Sequence, residues 1–336
     1  MVRACFVVAA GFAAGLCSVA AGAGAGETAL VLENRIPLLG VAGRIDHLAV
    51  DIAGRRLFVA ELENNSVDVV NLDTGVAMTR IAGLKQPQGI AYLPDRKLLV
   101  VANAGDGSVR FFAGGNLAPH GSIDLGEDAD NVRVDPESGR LLVGYGKSGA
   151  KSGLAVIDPA RRSVIGRIAL PGHPESFQID DKTGRAYANV PDAQQIAVID
   201  VGKRRAVAGW KTPGLADNFP MALGADGKPL AVVFRQPSRI ALLDPAQGSV
   251  AASLDTCGDS DDVYFDGKRN RLYLSCGEGL VDVLQPGPQG LQRIDRVVSF
   301  GGARTSLFVP ELDRLYVAAR ANSGADAAIL VYRPGR

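Results

Sequence analysis

The chain has little of what most catalytic sequences rely on. In 336 residues there are three histidines, one tryptophan and four cysteines, and aromatic residues make up 6%. No H-E-x-x-H, G-x-S-x-G or Cys–His cluster occurs, so the residues of zinc and serine hydrolases are missing. Lys+Arg and Asp+Glu both number 36. Without net charge there is no global field for nucleic acid or an anionic membrane, and neither is expected as a partner. One G-x-G-x-x-G match exists, Gly144-Tyr145-Gly146-Lys147-Ser148-Gly149. Leu141 stands where a phosphate loop needs its first glycine, and residues 154–158 read as strand, so no helix N-terminus is offered to a phosphate.

Long apolar runs are also scarce. Arg3, the apolar stretch Phe6–Leu16 and the small residues Ala21-Gly22-Ala23 form a secretory signal over residues 1–25. A membrane anchor needs about 20 apolar residues, and the Gly/Ala run at 20–26 is a poor one. The expectation is a periplasmic or secreted protein with no membrane insertion after cleavage. Cys17 follows Leu16, where lipoprotein signals usually want Gly or Ala. Removing Cys5 and Cys17 leaves Cys257 and Cys276, 19 positions apart and not spaced as a Cys-x-x-Cys pair. An even count in an oxidising compartment points to a bridge between them.

What the chain has is turn residues and repetition. Its 41 glycines and 18 prolines, with 47% hydrophobic content, suit an all-β protein with many reversals. The stretch from Ile45 to Leu84 holds three short apolar runs and the start of a fourth, separated by Gly, Asp and Asn, which reads as a four-stranded antiparallel meander. Seven copies of its first two strands begin at His47, Gly89, Asn131, Ser176, Pro220, Asp262 and Thr305, with offsets of 42, 42, 45, 44, 42 and 43. That period is the length of a propeller blade. The chain stops just after the third strand of the seventh copy, and Asn34-Arg35-Ile36-Pro37-Leu38 resembles a fourth strand. Residues 30–336 are therefore expected to form a seven-bladed β-propeller of four-stranded antiparallel blades. The N-terminal strand would complete the last blade, pairing residues 34–39 with Ala328–Tyr332.

The runs Asn270-Arg271-Leu272-Tyr273-Leu274, Asp313-Arg314-Leu315-Tyr316-Val317-Ala318 and Ile196-Ala197-Val198-Ile199-Asp200 resemble the bacterial YVTN-type β-propeller repeat family over roughly the whole mature chain. The resemblance implies this fold and export. It leaves function open among binding platforms, surface proteins and, in relatives, lactone-cleaving or redox enzymes. Quinoprotein propellers repeat a tryptophan in each blade, and WD-type repeats carry Gly-His and Trp-Asp pairs; with Trp210 alone, this chain matches neither.

In a propeller the loops that lead into the first strands surround the mouth of the central channel. Here they supply Asp46, His47, Gln88, Asp130, Asn131, Glu175, Asn218, Asp261, Asp262 and Arg304 as candidate ligand-binding residues. The ends of the second strands would add Glu61, Asn103, Tyr145, Asn189, Arg235, Glu278 and Arg320 to that face. Converging carboxylates and amides make a binding funnel for a small polar ligand or a hard-cation site. His47 and His173 come from blades one and four, nearly opposite, so joint ligation of one ion is not expected. The leading expectation is a monomeric, non-enzymatic binding propeller for a small polar ligand or a protein partner. It has no catalytic residues, no assigned metal ligands and no cofactor beyond a divalent cation such as Ca²⁺. The alternative is a metal-assisted, lactonase-like hydrolase using Asp130, Glu175, Asn218 and Asp261, residue types that hold such ions in related propeller enzymes. Five carboxylates, Asp46, Asp130, Glu175, Asp261 and Asp262, would face one nearby Arg304.

Overall fold

The computed structural model describes residues 1–2, 28–147 and 151–335. The expected signal segment lies almost wholly outside the described residues, as do Ser148 and Gly149. Seven four-stranded antiparallel sheets form a ring of blades, with three short 3₁₀ turns as the only helical elements among the described residues. Blade one runs Leu48–Asp51, Arg56–Glu61, Ser66–Asn71 and Val76–Ile81, and each later blade repeats that order from the axis outward.

The alternation of an extended chain explains why the second strands read as continuous apolar runs. In Arg56–Glu61, Leu57 and Val59 face blade seven while Phe58 and Ala60 face blade two. Both faces of a blade are covered, so neither can be polar. Seven hydrophobic clusters result, one between each pair of neighbouring blades. The outermost strands escape this demand: Val76–Ile81 is exposed along almost its whole length. In every blade the pairing of third and fourth strands contains a register shift. Such bulges twist an outer strand away from flat edge pairing.

Blade seven is closed by the N-terminal strand. Leu30–Pro37 pairs antiparallel with Ala328–Pro334, matching Asn34 with Val331 and Pro37 with Ala328. The strand starts at Leu30, earlier than expected, because a shift between Leu32 and Asn34 lets pairing resume beyond the bulge.

Cys257, in the loop leading into blade six, is disulfide-bonded to Cys276 at the end of that blade's second strand, with Cα atoms 5.9 Å apart. Both are buried against Leu274 and Leu280. Opening a loop with a sequence separation of 19 releases denatured-chain entropy equivalent to about 3 kcal/mol. Cys257→Ser with Cys276→Ser should lower stability by about that amount in urea unfolding, with a slope that rises as the denatured chain expands.

Candidate functional site

The seven first strands line a channel of about 410 Å³. A separate cavity of about 230 Å³ forms its mouth and takes a residue from every blade: Arg44, Gln88, Asp130, Glu175, Phe219, Asp261 and Arg304. Asp128, His173 and Arg235 complete the wall.

Blades one, three and four share one backbone device at this position. The residue just ahead of the first strand donates its N–H to the carbonyl at the second strand's end: Asp46 to Ala60 (2.7 Å), Asp130 to Gly144 (2.9 Å) and Glu175 to Asn189 (3.0 Å). Backbone pairing thus continues past the strand and fixes the side chain on the channel side. In blades two, five and six a bulge replaces this regular extension, between Pro87 and Ile90, Asn218 and Met221, and Ser260 and Asp262. Gly89 permits a close approach, since a Cβ there would stand 2.3 Å from the Asp130 carbonyl oxygen.

Of the candidate residues, Gln88, Asp130, Glu175, Asp261 and Arg304 line the cavity. Asp46 is buried and ion-paired to Arg44 at 2.8 Å. His47 faces the channel, with Nε2 3.6 Å from Asp46 and Nδ1 3.5 Å from Asp262. Burial opposes its charge, but Asp262 and then Asp46 and Asp130 outweigh that and raise its pKa to about 10. Asp262 does not reach the cavity wall; it accepts the Ser306 N–H at 2.8 Å and ties blade six to blade seven. Asn131 is buried beside the wall.

Asn218 is the clearest correction. Its amide donates to Asn189 Oδ1 (2.9 Å) and to the Gln195 carbonyl (3.1 Å), joining blades four and five, and Phe219 takes the position at the cavity. The four-residue oxygen set proposed for a lactonase-like metal is therefore not assembled. Asp261 is also committed elsewhere, to Arg235 at 2.9 Å and Arg304 at 3.0 Å, with Arg44 at 4.0 Å. The expected excess of carboxylates over one arginine does not occur: three guanidinium groups converge on Asp261.

Among the second-strand ends only Arg235 lines the cavity. The others do not line it, and several satisfy local hairpins: Ser66 donates to Glu61, and Asn103 donates to the Ser108 carbonyl at 3.1 Å. Arg235 reaches inward because its guanidinium lies over the Phe219 ring, 3.8 Å from the centroid, and donates to the Ser260 carbonyl at 2.8 Å.

Three wall residues, Arg44, Asp128 and His173, were missed. Each precedes the mouth position of its blade by two residues, a column that also contains Asp259, which pairs with Arg304 at 2.8 Å. Extending the repeat alignment two columns upstream would have found them.

The cavity is electrically divided. Blades five, seven and one contribute the three arginines grouped on Asp261 of blade six. Blades three and four contribute Asp130, His173 and Glu175, whose ligand atoms lie within 4.8 Å of one another. Burial, then Asp130, pushes the Glu175 carboxyl up to about 8. Burial alone would lower the His173 value, yet Asp130 and Glu175 raise it to about 9. Asp130 is held below the usual carboxylate range; burial opposes this, but His173, His47 and Arg44 prevail.

No protein-family model and no curated protein matches the chain. Solved structures do. A chain of the Kuenenia stuttgartiensis hydrazine synthase is similar with a TM-score of 0.77 and 19% identity, over 89% of this chain and 99% of that one. A chain of the mitotic checkpoint complex is similar with a TM-score of 0.77 and 14% identity, over 95% and 97% of the two chains. The WD40 repeats of RRP9 give 0.75 and 10%, over 90% and 97%. At these identities the likeness shows the β-propeller fold alone.

Proposed function

We propose that this chain is an exported, monomeric, non-enzymatic binding propeller of YVTN type that holds a small polar ligand at the mouth of its channel. The observation that carries the reading is unused polarity in a cavity built by all seven blades: Arg44 Nε and Asp130 Oδ1 are buried there without a hydrogen-bond partner. Buried polar atoms left unmade cost about 1–3 kcal/mol each, a cost a ligand would offset. With guanidiniums on one side and carboxylates and an imidazole on the other, the cavity suits a small molecule carrying both an anionic group and hydroxyl or ammonium donors. Export is supported by the signal pattern in residues 3–23 and by the Cys257–Cys276 pair.

A larger hollow of about 800 Å³ lies between the outer strands of blades one and two, but it is a weaker candidate. Its arginines are already engaged, Arg80 by Asp68 at 2.6 Å and Arg110 by Asp106 at 3.7 Å.

Calorimetric titration of chelator-treated protein with carboxylates, amino acids and sugars tests the reading. A binding compound should lose roughly tenfold to a hundredfold in affinity with Arg235→Ala, the range expected when one charge-assisted hydrogen bond is removed. No heat and no thermal shift with any compound would defeat the small-ligand reading and leave a protein partner.

A further inference from the structure

We propose that Asp130, His173 and Glu175 form a site for one divalent first-row metal ion, Zn²⁺ or Mn²⁺, at the blade three–blade four corner of the mouth. The site deepens the binding reading and rests on it only for what the ion would then hold.

The first observation is the state of His173. Its Nδ1 makes a hydrogen bond with the Gly146 carbonyl oxygen. A carbonyl can only accept, so Nδ1 carries the proton. The other ring nitrogen, Nε2, faces Asp130, and an ion bound there would displace any proton it carries. A ring nitrogen protonated against a backbone carbonyl, with the other nitrogen aimed at an ion, is the usual arrangement of a metal-ligating histidine.

The second observation is independent of the first. The Asp130 side chain is 7% exposed, and its Oδ1 is buried with no hydrogen-bond partner. Its Oδ2 stands 3.8 Å from His173 Nε2, too far for a hydrogen bond. The three donors, within 4.8 Å of one another, surround a gap that they do not close among themselves. Metal–ligand bonds of about 2.0–2.2 Å would close it with a small inward rotation of the side chains.

The ligand chemistry sets the metal class. One imidazole and two carboxylates suit zinc or manganese; Ca²⁺ and Mg²⁺ prefer sites made entirely of oxygen. Three protein ligands leave a coordination position open. That position faces the cavity, whose lining also includes Arg235 and Arg304. An anionic group on the ligand could therefore lie between the ion and the guanidiniums.

The test adds metal alone to chelator-treated full-length protein, so that it reads the ion without any organic ligand. Zn²⁺ or Mn²⁺ should bind with one equivalent and raise the melting temperature, while Ca²⁺ and Mg²⁺ at equal concentration should shift it much less. His173→Gln should weaken binding by roughly a hundredfold or more, beyond what loss of an outer partner usually costs. Asp130→Asn should weaken it as well. If His173→Gln misfolds, Co²⁺ added to the wild type provides a second readout, because its visible spectrum reports a mixed nitrogen and oxygen ligand set. Wild type that binds neither Zn²⁺ nor Mn²⁺ at millimolar concentration overturns the proposal. Undiminished binding in both folded variants, a Co²⁺ spectrum of aquo ion only, or a preference for Ca²⁺ does the same. Because the compound panel uses metal-stripped protein, either reading can fail without the other.

Discussion

A chain that begins after Leu39 is expected to lose most of its stability, compared with one that begins at residue 27. The N-terminal strand Leu30–Pro37 is the outer strand of blade seven, and its removal leaves Ala328–Pro334 with an unpaired edge. The loss reaches beyond hydrogen bonds, because Leu30 is 2%, Ile36 2% and Leu38 0% exposed in the intact ring. Burying a large aliphatic side chain contributes about 1.5–3 kcal/mol, so three of them approach the whole margin of a typical domain, about 5–15 kcal/mol. Ile36 and Leu38 pack with the residues between blades seven and one, and Leu30 with those between blades six and seven. The truncation therefore loosens two seams. A large drop in melting temperature and concentration-dependent aggregation through the freed edge are expected. Calorimetry with light scattering on the two chains checks this, and equal melting behaviour would show that the ring does not need its closing strand.

That closure could be foreseen because a repeat protein states its own omissions. The seventh copy lacked an outer strand, and the only spare segment resembled one. The innermost positions were legible for a related reason. The first strand keeps a fixed period in each blade, so one aligned column gives Gln88, Asp130, Glu175, Asp261 and Arg304 without knowledge of side-chain contacts. Blade five shows what happens when chemistry is preferred to register. Asn218 was chosen because it is polar, but the column at that blade holds Phe219, and Phe219 faces the cavity. Asn218 lies one residue off, and its amide is spent on Asn189 and Gln195. A one-residue step in a strand turns a side chain to the other face.

The charge balance was not legible, because it depends on the reach of long side chains between blades. Arg235 belongs to the second strand of blade five, is supported by Phe219, and pairs with Asp261 of blade six. No column of the repeat predicts such a contact. His173 was weighed only as a partner of His47; its column gives its position at the mouth but not its hydrogen-bond partner. Its role follows from the Gly146 carbonyl of blade three, 27 residues earlier, and a repeat alignment never compares those positions.

The charge balance sets the sign of the second large effect. If the mouth were a ring of mutually repelling carboxylates, neutralising any of them would stabilise the fold. Asp261→Asn is expected to do the opposite, at a cost of about 3–4 kcal/mol. Asp261 is the shared counter-charge of Arg235 and Arg304, with Arg44 nearby, and its side chain is only 11% exposed. Removing one partner of a buried pair leaves the other charge uncompensated, which costs about 3–5 kcal/mol. Asp259 remains to Arg304 and Asp46 to Arg44, which places the effect toward the lower part of that range. Glu175→Gln is the contrasting substitution. Glu175 forms no ion pair among the described residues, and burial beside Asp130 already favours its neutral form at pH 7, so an uncharged isostere should change stability by less than about 0.5 kcal/mol. Urea unfolding of both variants at pH 7 separates the two pictures. A destabilised Asp261→Asn beside a near-neutral Glu175→Gln supports a mouth organised around an arginine-clasped aspartate. Equal stabilisation of the two would mean that the arginines do not hold Asp261 in solution.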